Sequence, residues 1–246
     1  MSAQHGVPTI VRFDNNPQHF DTSLYVNRLE ALLTFSKSPY DIDSQAGNPQ
    51  TAPRGKLPYI KLGQETIPDS LFGYEELVRR GLASELDVGL TPKDLATSRA
   101  ITSLVQELFV HVVMERWIDQ FYYAREKALG HLWYPLRVMI AYFIYRSISS
   151  SGRAMEFGRP AHETDTLRQT AIDALATWVG EKKHVLGGDA PTRVDAIVFG
   201  LIAAVHADLR WNPKHAASFH AHPNLREYAE GLRKTWYPDR PSFLAA

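Results

Sequence analysis

No cysteine occurs anywhere in the 246 residues. Disulfides, zinc thiolate sites and cysteine nucleophiles are therefore excluded from the chain's own chemistry. Net charge is lacking too, because 27 basic residues face 27 acidic ones. A protein that neutralises many phosphates needs a basic excess, so no nucleic-acid partner is expected. No apolar run reaches the roughly 20 residues that span a bilayer. The longest stretch, Leu132 to Ile148, is interrupted by Arg137 and Arg146 and reads as a buried helix. Met1 to Gly6 lacks the basic and apolar regions of a secretory signal, which leaves the cytoplasm as the expected location. A Walker loop, a dinucleotide glycine fingerprint, a Gly-x-Ser-x-Gly elbow and a His-Glu-x-x-His motif are all missing.

The composition that remains, 44% hydrophobic and 22% charged, is that of a globular protein, and the length suits two modest cores. Short β-type runs occur only in the first ninety residues. Thr9 to Phe13 is one, Pro39 to Ile42 another, and Tyr59 to Leu62 and Glu65 to Ile67 flank Gly63-Gln64 as a tight hairpin. Between the first two runs, Tyr25, Leu29 and Leu33 recur at spacing four behind Asp21, Thr22 and Ser23, the pattern of a capped amphipathic helix. A second capped helix follows Pro68-Asp69-Ser70 and runs to Gly81. Strand, helix, strand, hairpin, helix is the order of a four-stranded mixed sheet of thioredoxin-like kind.

After Thr91 the pattern is helical only. Thr91-Pro92 with Asp94 opens a helix that carries Ile101, Leu104, Val105, Leu108, Val112 and Val113. Further helices are expected over Pro135 to Ser149, Thr164 to Val179, Val194 to Leu209 and Leu225 to Trp236. Gly130, the Ser149 to Gly152 cluster, Gly187-Gly188 and Asn212-Pro213 separate them. The division expected is residues 1–86 as an α/β domain and residues 91–246 as an all-α domain.

Three local features carry chemistry or its scaffolding. Pro58, in Gly55-Lys56-Leu57-Pro58-Tyr59, stands at the entrance of a strand, where a residue without an amide proton belongs. Asp69-Ser70 opens a helix directly after a strand, a position that caps the helix or receives a carboxylate. Thr192-Arg193-Val194-Asp195 is a capping box before an apolar helix. In this order, and together with Arg28-Leu29-Glu30, Val198-Phe199-Gly200, Pro223-Asn224-Leu225 and Tyr237-Pro238-Asp239, they resemble glutathione transferases, most nearly the metaxin and failed-axon-connections branch.

The resemblance implies a thioredoxin-like glutathione-binding domain followed by an all-helical glutathione-transferase domain. It implies glutathione as co-substrate, bound by Lys56, Leu57 and Pro58, with the Leu57 backbone on the cysteinyl part, and by Asp69 and Ser70 at the γ-glutamyl end. A small electrophile or disulfide would be the second substrate and a homodimer the assembly. Ser23, in Ser23-Leu24-Tyr25-Val26, occupies the place of the thiol-activating residue, with Thr22 and Tyr25 as alternatives. The family's proline after that residue is replaced by Leu24. The resembling branch is poorly tied to a defined transferase reaction, so a noncatalytic binding or scaffold protein is the alternative.

Aromatic residues Trp117, Phe121 and Tyr122, with Tyr25, belong either to the core or to a co-substrate pocket. His215, His220 and His222 lie close in sequence, but no carboxylate or thiolate joins them and the segment His215 to Pro223 reads as an exposed loop. No metal site is expected.

Overall fold

The structure, a computed structural model, describes residues 6–43, 45–155 and 159–244. The α/β part contains β1 (Thr9–Val11), α1 (Leu24–Phe35), β2 (Asp41–Ile42), β3 (Tyr59–Leu62), β4 (Glu65–Pro68) and α2 (Ser70–Arg79). The sheet order is β2-β1-β3-β4, with β1 and β2 parallel and the other pairs antiparallel. The helical part contains α3 (Pro92–Met114), a π-helical turn (Glu115–Asp119), α4 (Phe121–Leu129), α5 (Tyr134–Met155), α6 (Ala161–Val179), α7 (Arg193–His206), α8 (Pro213–His220) and α9 (Pro223–Trp236). An N-terminal thioredoxin-like unit followed by an all-helical unit is the architecture that the pattern predicts.

Register explains the first core. Ile10 pairs with Ile42 and Ile60, and Ile60 with Ile67, so one row of β-branched side chains crosses the sheet on one face. Ile10, Ile60 and Ile67 are buried with Leu29, Leu32, Tyr74 and Leu77 of α1 and α2. The same core continues through Phe199 and Ile202 of α7 and Leu225 of α9 without interruption.

Two helices make the junction. α7 is buried along its whole length from Val194 to Val205, and an all-round apolar helix has no solvent face to offer. It packs chiefly against α1. The crossing is close because of Gly200: a β-carbon there would stand 3.0 Å from the Leu24 carbonyl oxygen and 3.1 Å from the Arg28 amide nitrogen. A buried charge cluster closes the chain on itself. Glu30 accepts from Arg12 and from Arg240, each at 2.6 Å, while Arg12 also donates to the His19 carbonyl and Arg240 to that of Pro17.

Three sequence expectations need correction. Leu132 to Ile148 is helical from Tyr134 onward but not buried: Trp133, Tyr134, Met139, Tyr142 and Phe143 of this stretch are exposed. The helix meets its neighbours through small residues instead, with Ala141 and Ser149 buried. Nor does the Ser149 to Gly152 cluster break it. Gly152 lies where a β-carbon would come within 2.6 Å of the Met114 sulfur, so this glycine permits close approach to α3 rather than a turn. Finally, His215 to Pro223 is no exposed loop. Pro213 opens α8, and Ala216 and Phe219, three apart, bury its inner face together with His215.

Candidate functional site

The start of α1 is shaped by its neighbours. Asp21 donates its amide to Asn27 Oδ1 at 2.9 Å, and Asn27 Nδ2 returns a bond to the Asp21 carbonyl at 2.7 Å. Asp21 Oδ1 accepts the Ser23 amide at 2.8 Å. Ser23 itself is 7% exposed, and its hydroxyl makes no capping bond to the helix it precedes. Arg116, from the π-helical turn, donates to the Thr22 carbonyl at 2.6 Å.

Across from this helix start, the Leu57-Pro58 peptide bond is cis, and Pro58 leads directly into β3. Asp69 stands at φ 77°, a left-handed conformation that a non-glycine residue seldom holds. Its Oδ1 accepts the amides of Leu71 and Phe72 at 2.7 and 3.1 Å, which caps α2. Ser70, the first residue of that helix, is buried. The capping reading of Asp69 is thus realised, and Oδ1 is occupied by it.

A cleft of about 280 Å³ lies between these elements. Lys56, Leu57, Pro58, Asp69 and Ser70 all line it, as do Tyr25, Arg28, Arg54 and Gln106. A second cleft of about 460 Å³ opens beside it, lined by Tyr25, Ser103, Gln106, Glu107, Val110, His111, Arg159, Thr164 and Leu167. Tyr25 and Gln106 belong to both walls, so the two spaces meet at these side chains. Thr164 contributes a buried hydroxyl with no hydrogen-bond partner among the described residues.

Tyr25 stacks edge-on against Phe109, with ring centroids 5.4 Å apart. Burial raises its hydroxyl above the ordinary range; the Arg28 charge opposes this and the Asp69 charge adds to it. The phenol is therefore protonated at neutral pH and available as a donor. Arg28 is 4% exposed. Burial lowers its guanidinium, against the charges of Asp69 and the Tyr25 hydroxyl.

Other residues singled out in the sequence lie elsewhere. Ser23 lines neither cleft. Trp117, Phe121 and Tyr122 do not line them either: Trp117 faces Trp211 at 6.5 Å, while Phe121 sits against Tyr122 and Tyr145, each at 5.6 Å. The pocket side of that expectation needs correction, because α3 presents Ser103, Gln106, Glu107 and His111 to the cleft, one stripe at helical spacing, and turns the later aromatics away. His215 is held by Glu115 at 2.5 Å and His222 by Asp173 at 3.0 Å. Sequence reasoning missed the site role of Arg28, which it treated only as part of Arg28-Leu29-Glu30, and that of Gln106. The signal for Arg28 was its position three residues after Tyr25, one helical turn away on the same face.

Comparisons with known proteins agree with this architecture. Residues 24–121 match the family model of the glutathione S-transferase N-terminal domain, and residues 169–232 that of the glutathione S-transferase C-terminal domain. The Metaxin-1 homolog of Caenorhabditis briggsae is 24% identical over 79% of this chain, which spans 63% of that relative's length. The isoprene-epoxide glutathione S-transferase of Rhodococcus sp. (strain AD45) is 26% identical over 88% of this chain and 93% of its own. Human Metaxin-2 is 22% identical over 86% and 81%. Among solved structures, a rice glutathione transferase in complex with glutathione superposes with a TM-score of 0.55 at 13% identity, over 99% of this chain and 94% of the other. Together the two domain matches, the shared fold and the metaxin relatives place the chain in the glutathione S-transferase superfamily, with a metaxin-like character.

Proposed function

We propose that this protein binds glutathione in the cleft of Leu57, Pro58, Asp69 and Ser70 and presents its thiol to a small electrophile in the adjoining cleft. The observation that carries the reading is that the two clefts share Tyr25 and Gln106, so a sulfur in one faces a substrate in the other. Tyr25 then takes the role assigned to Ser23 from the sequence. Its protonated hydroxyl donates to the thiolate and holds the sulfur in place, which lowers the thiol's pKa. The thiolate attacks an electrophilic carbon, forming a carbon–sulfur bond while the carbon's bond to its leaving atom breaks.

The second cleft supports an oxygen-bearing electrophile. Its wall carries Ser103, Gln106, Glu107, His111 and the unpartnered Thr164 hydroxyl among the apolar surface of Tyr25, Val110 and Leu167. A ring oxygen of an epoxide would find donors there and take up a proton as the ring opens, in keeping with the name of the Rhodococcus relative. A homodimer belongs to the same reading, with the exposed apolar face of α5 as the surface offered to a second copy.

A noncatalytic scaffold is the second reading, favoured by the withdrawal of Ser23 from both clefts. Titration calorimetry and thermal shift with reduced glutathione separate the two. A ligand at 100 times its dissociation constant adds about 2.7 kcal/mol of stability. Absence of binding at millimolar glutathione would leave the scaffold reading standing.

A further inference from the structure

Five arginines are buried among the described residues: Arg12, Arg28, Arg116, Arg233 and Arg240. A buried guanidinium costs several kcal/mol in lost hydration unless its donors are matched. Four of the five each hold at least two oxygen partners, although Arg12 Nε and Arg240 Nη1 are left without one. Arg12 and Arg240 meet Glu30, Arg116 meets Asn212 and two carbonyls, and Arg233 meets Glu230 and three carbonyls. Arg28 is the exception. Among the described residues its side chain makes no hydrogen bond and no ion pair, and its Nε is buried without a partner.

The nearby acids Asp69 and Glu75 act on it through charge without forming an ion pair. Asp69 Oδ1 caps α2, and Glu75 pairs with Arg193 at 3.1 Å. Arg193 adds a second cation whose charge acts on Arg28. A guanidinium kept dry and without an ion pair is placed to receive an anion from outside the chain, and Arg28 lines the cleft of Leu57, Pro58, Asp69 and Ser70.

We propose that Arg28 is the counter-ion of the bound thiolate. The inference rests on the glutathione reading of the cleft. Glutathione carries two carboxylates, one ammonium and, when ionised, one thiolate. The buried start of α2 at Ser70 suits one carboxylate, and the cations Arg54 and Lys56 at the cleft's other wall suit the second. Asp69 is the one acid in that wall and suits the ammonium. The thiolate remains, and so does Arg28, one helical turn from Tyr25. Phenol and guanidinium then act on the same sulfur, one through a hydrogen bond and one through charge.

The test compares glutathione with S-methylglutathione, which has the same carboxylates and no thiolate, on wild type, Arg28→Met and Arg28→Lys. Affinities come from calorimetry at pH 8, and the bound thiol's ionisation from thiolate absorbance. In Arg28→Met the bound thiol's pKa should rise by about one to two pH units and glutathione affinity fall about tenfold, with S-methylglutathione changed less than about twofold. Arg28→Lys should recover most of the loss. Equal loss for both ligands would mean that Arg28 holds a carboxylate, and no loss for either that it holds nothing; each overturns the proposal. If Arg28→Met does not fold, Arg28→Gln carries the same comparison. Failure of the underlying site reading shows separately, as wild-type protein that binds neither ligand, and it removes the proposal as well.

Discussion

Arg116 donates to the Thr22 carbonyl at 2.6 Å, so a side chain of the helical part fixes the backbone just before α1. The same guanidinium reaches Asn212 Oδ1 at 2.6 Å and the Ala204 carbonyl at 2.9 Å, binding three separate segments through one cation. It also stacks on Trp211, 4.9 Å from the ring centroid. Arg116→Ala would strand three acceptors, each worth about 1 to 3 kcal/mol when buried without a donor. We expect a loss of more than about 3 kcal/mol in urea unfolding, together with weaker glutathione binding. Wild-type stability in this variant would show that water replaces the guanidinium at little cost.

The two members of the α7 capping box should differ in weight. Asp195 is fully buried and accepts from the Thr192 amide and hydroxyl, the Val185 amide and the Tyr228 hydroxyl, all between 2.7 and 2.8 Å. Thr192→Ala removes one of these bonds and should cost about 0.5 to 2 kcal/mol. Asp195→Ala leaves several donors unmatched and should cost more than about 3 kcal/mol. Equal midpoints in chemical denaturation would contradict this ranking.

Acid should weaken the fold through His206. Burial, with a smaller effect of the nearby His220 and Arg226, lowers its pKa from 6.5 to about 4, while its Nδ1 contact with the Ile202 carbonyl opposes the shift. The unfolded imidazole takes up a proton below pH 6.5 and the folded one does not until about pH 4, so the unfolded state binds more protons in that window. Stability should therefore fall as pH drops from 6.5 to 4, by on the order of 3 kcal/mol from this group, and level off on either side. His206→Gln should flatten that part of the profile of unfolding free energy against pH.

Ligand-site variants should divide into three behaviours. Ser70→Ala should weaken glutathione binding by about 1.5 to 3 kcal/mol, the range for hydrogen bonds to charged groups. Tyr25→Phe should leave affinity for S-methylglutathione intact while raising the bound thiol's pKa and slowing conjugation. Ser23→Ala should change none of these. A Ser23 effect on thiol ionisation larger than that of Tyr25 would return the activating role to the serine.

The α5 surface makes a prediction about assembly. Met139, Tyr142 and Phe143 are 51, 50 and 61% exposed on one face. Phe143→Glu should shift a dimer toward monomer in sedimentation velocity. An unchanged distribution would place the contact elsewhere.

Much of this was legible in the sequence. The succession of strands and helices follows from β-branched runs around Tyr25, Leu29 and Leu33, and the proline at the entrance of β3 and the acid–serine pair at α2 are local features that local rules read well. The helix of His215 was hidden because three histidines drew attention from Ala216 and Phe219. Gly152 has the sequence signature of a breaker because its packing partner, Met114, lies on another helix. Trp117, Phe121 and Tyr122 illustrate a related limit: aromatic content alone does not say whether a residue is buried, and Tyr122 is 74% exposed while Trp117 and Phe121 are half-buried. The spacing of Arg28 from Tyr25 puts it on the same helix face, but its lack of a partner is visible only in three dimensions.

Gly200 makes position 200 a remote adjustment for the ligand cleft. It touches neither cleft, yet an added methyl there would act as a wedge between α7 and the backbone of Leu24 and Arg28. The helix displaced by that wedge is the one that carries both Tyr25 and Arg28. A screen for variants that fold but no longer hold a thiol would therefore return substitutions of this buried glycine beside those of the cleft wall, and the affinity of the site could be tuned from its back.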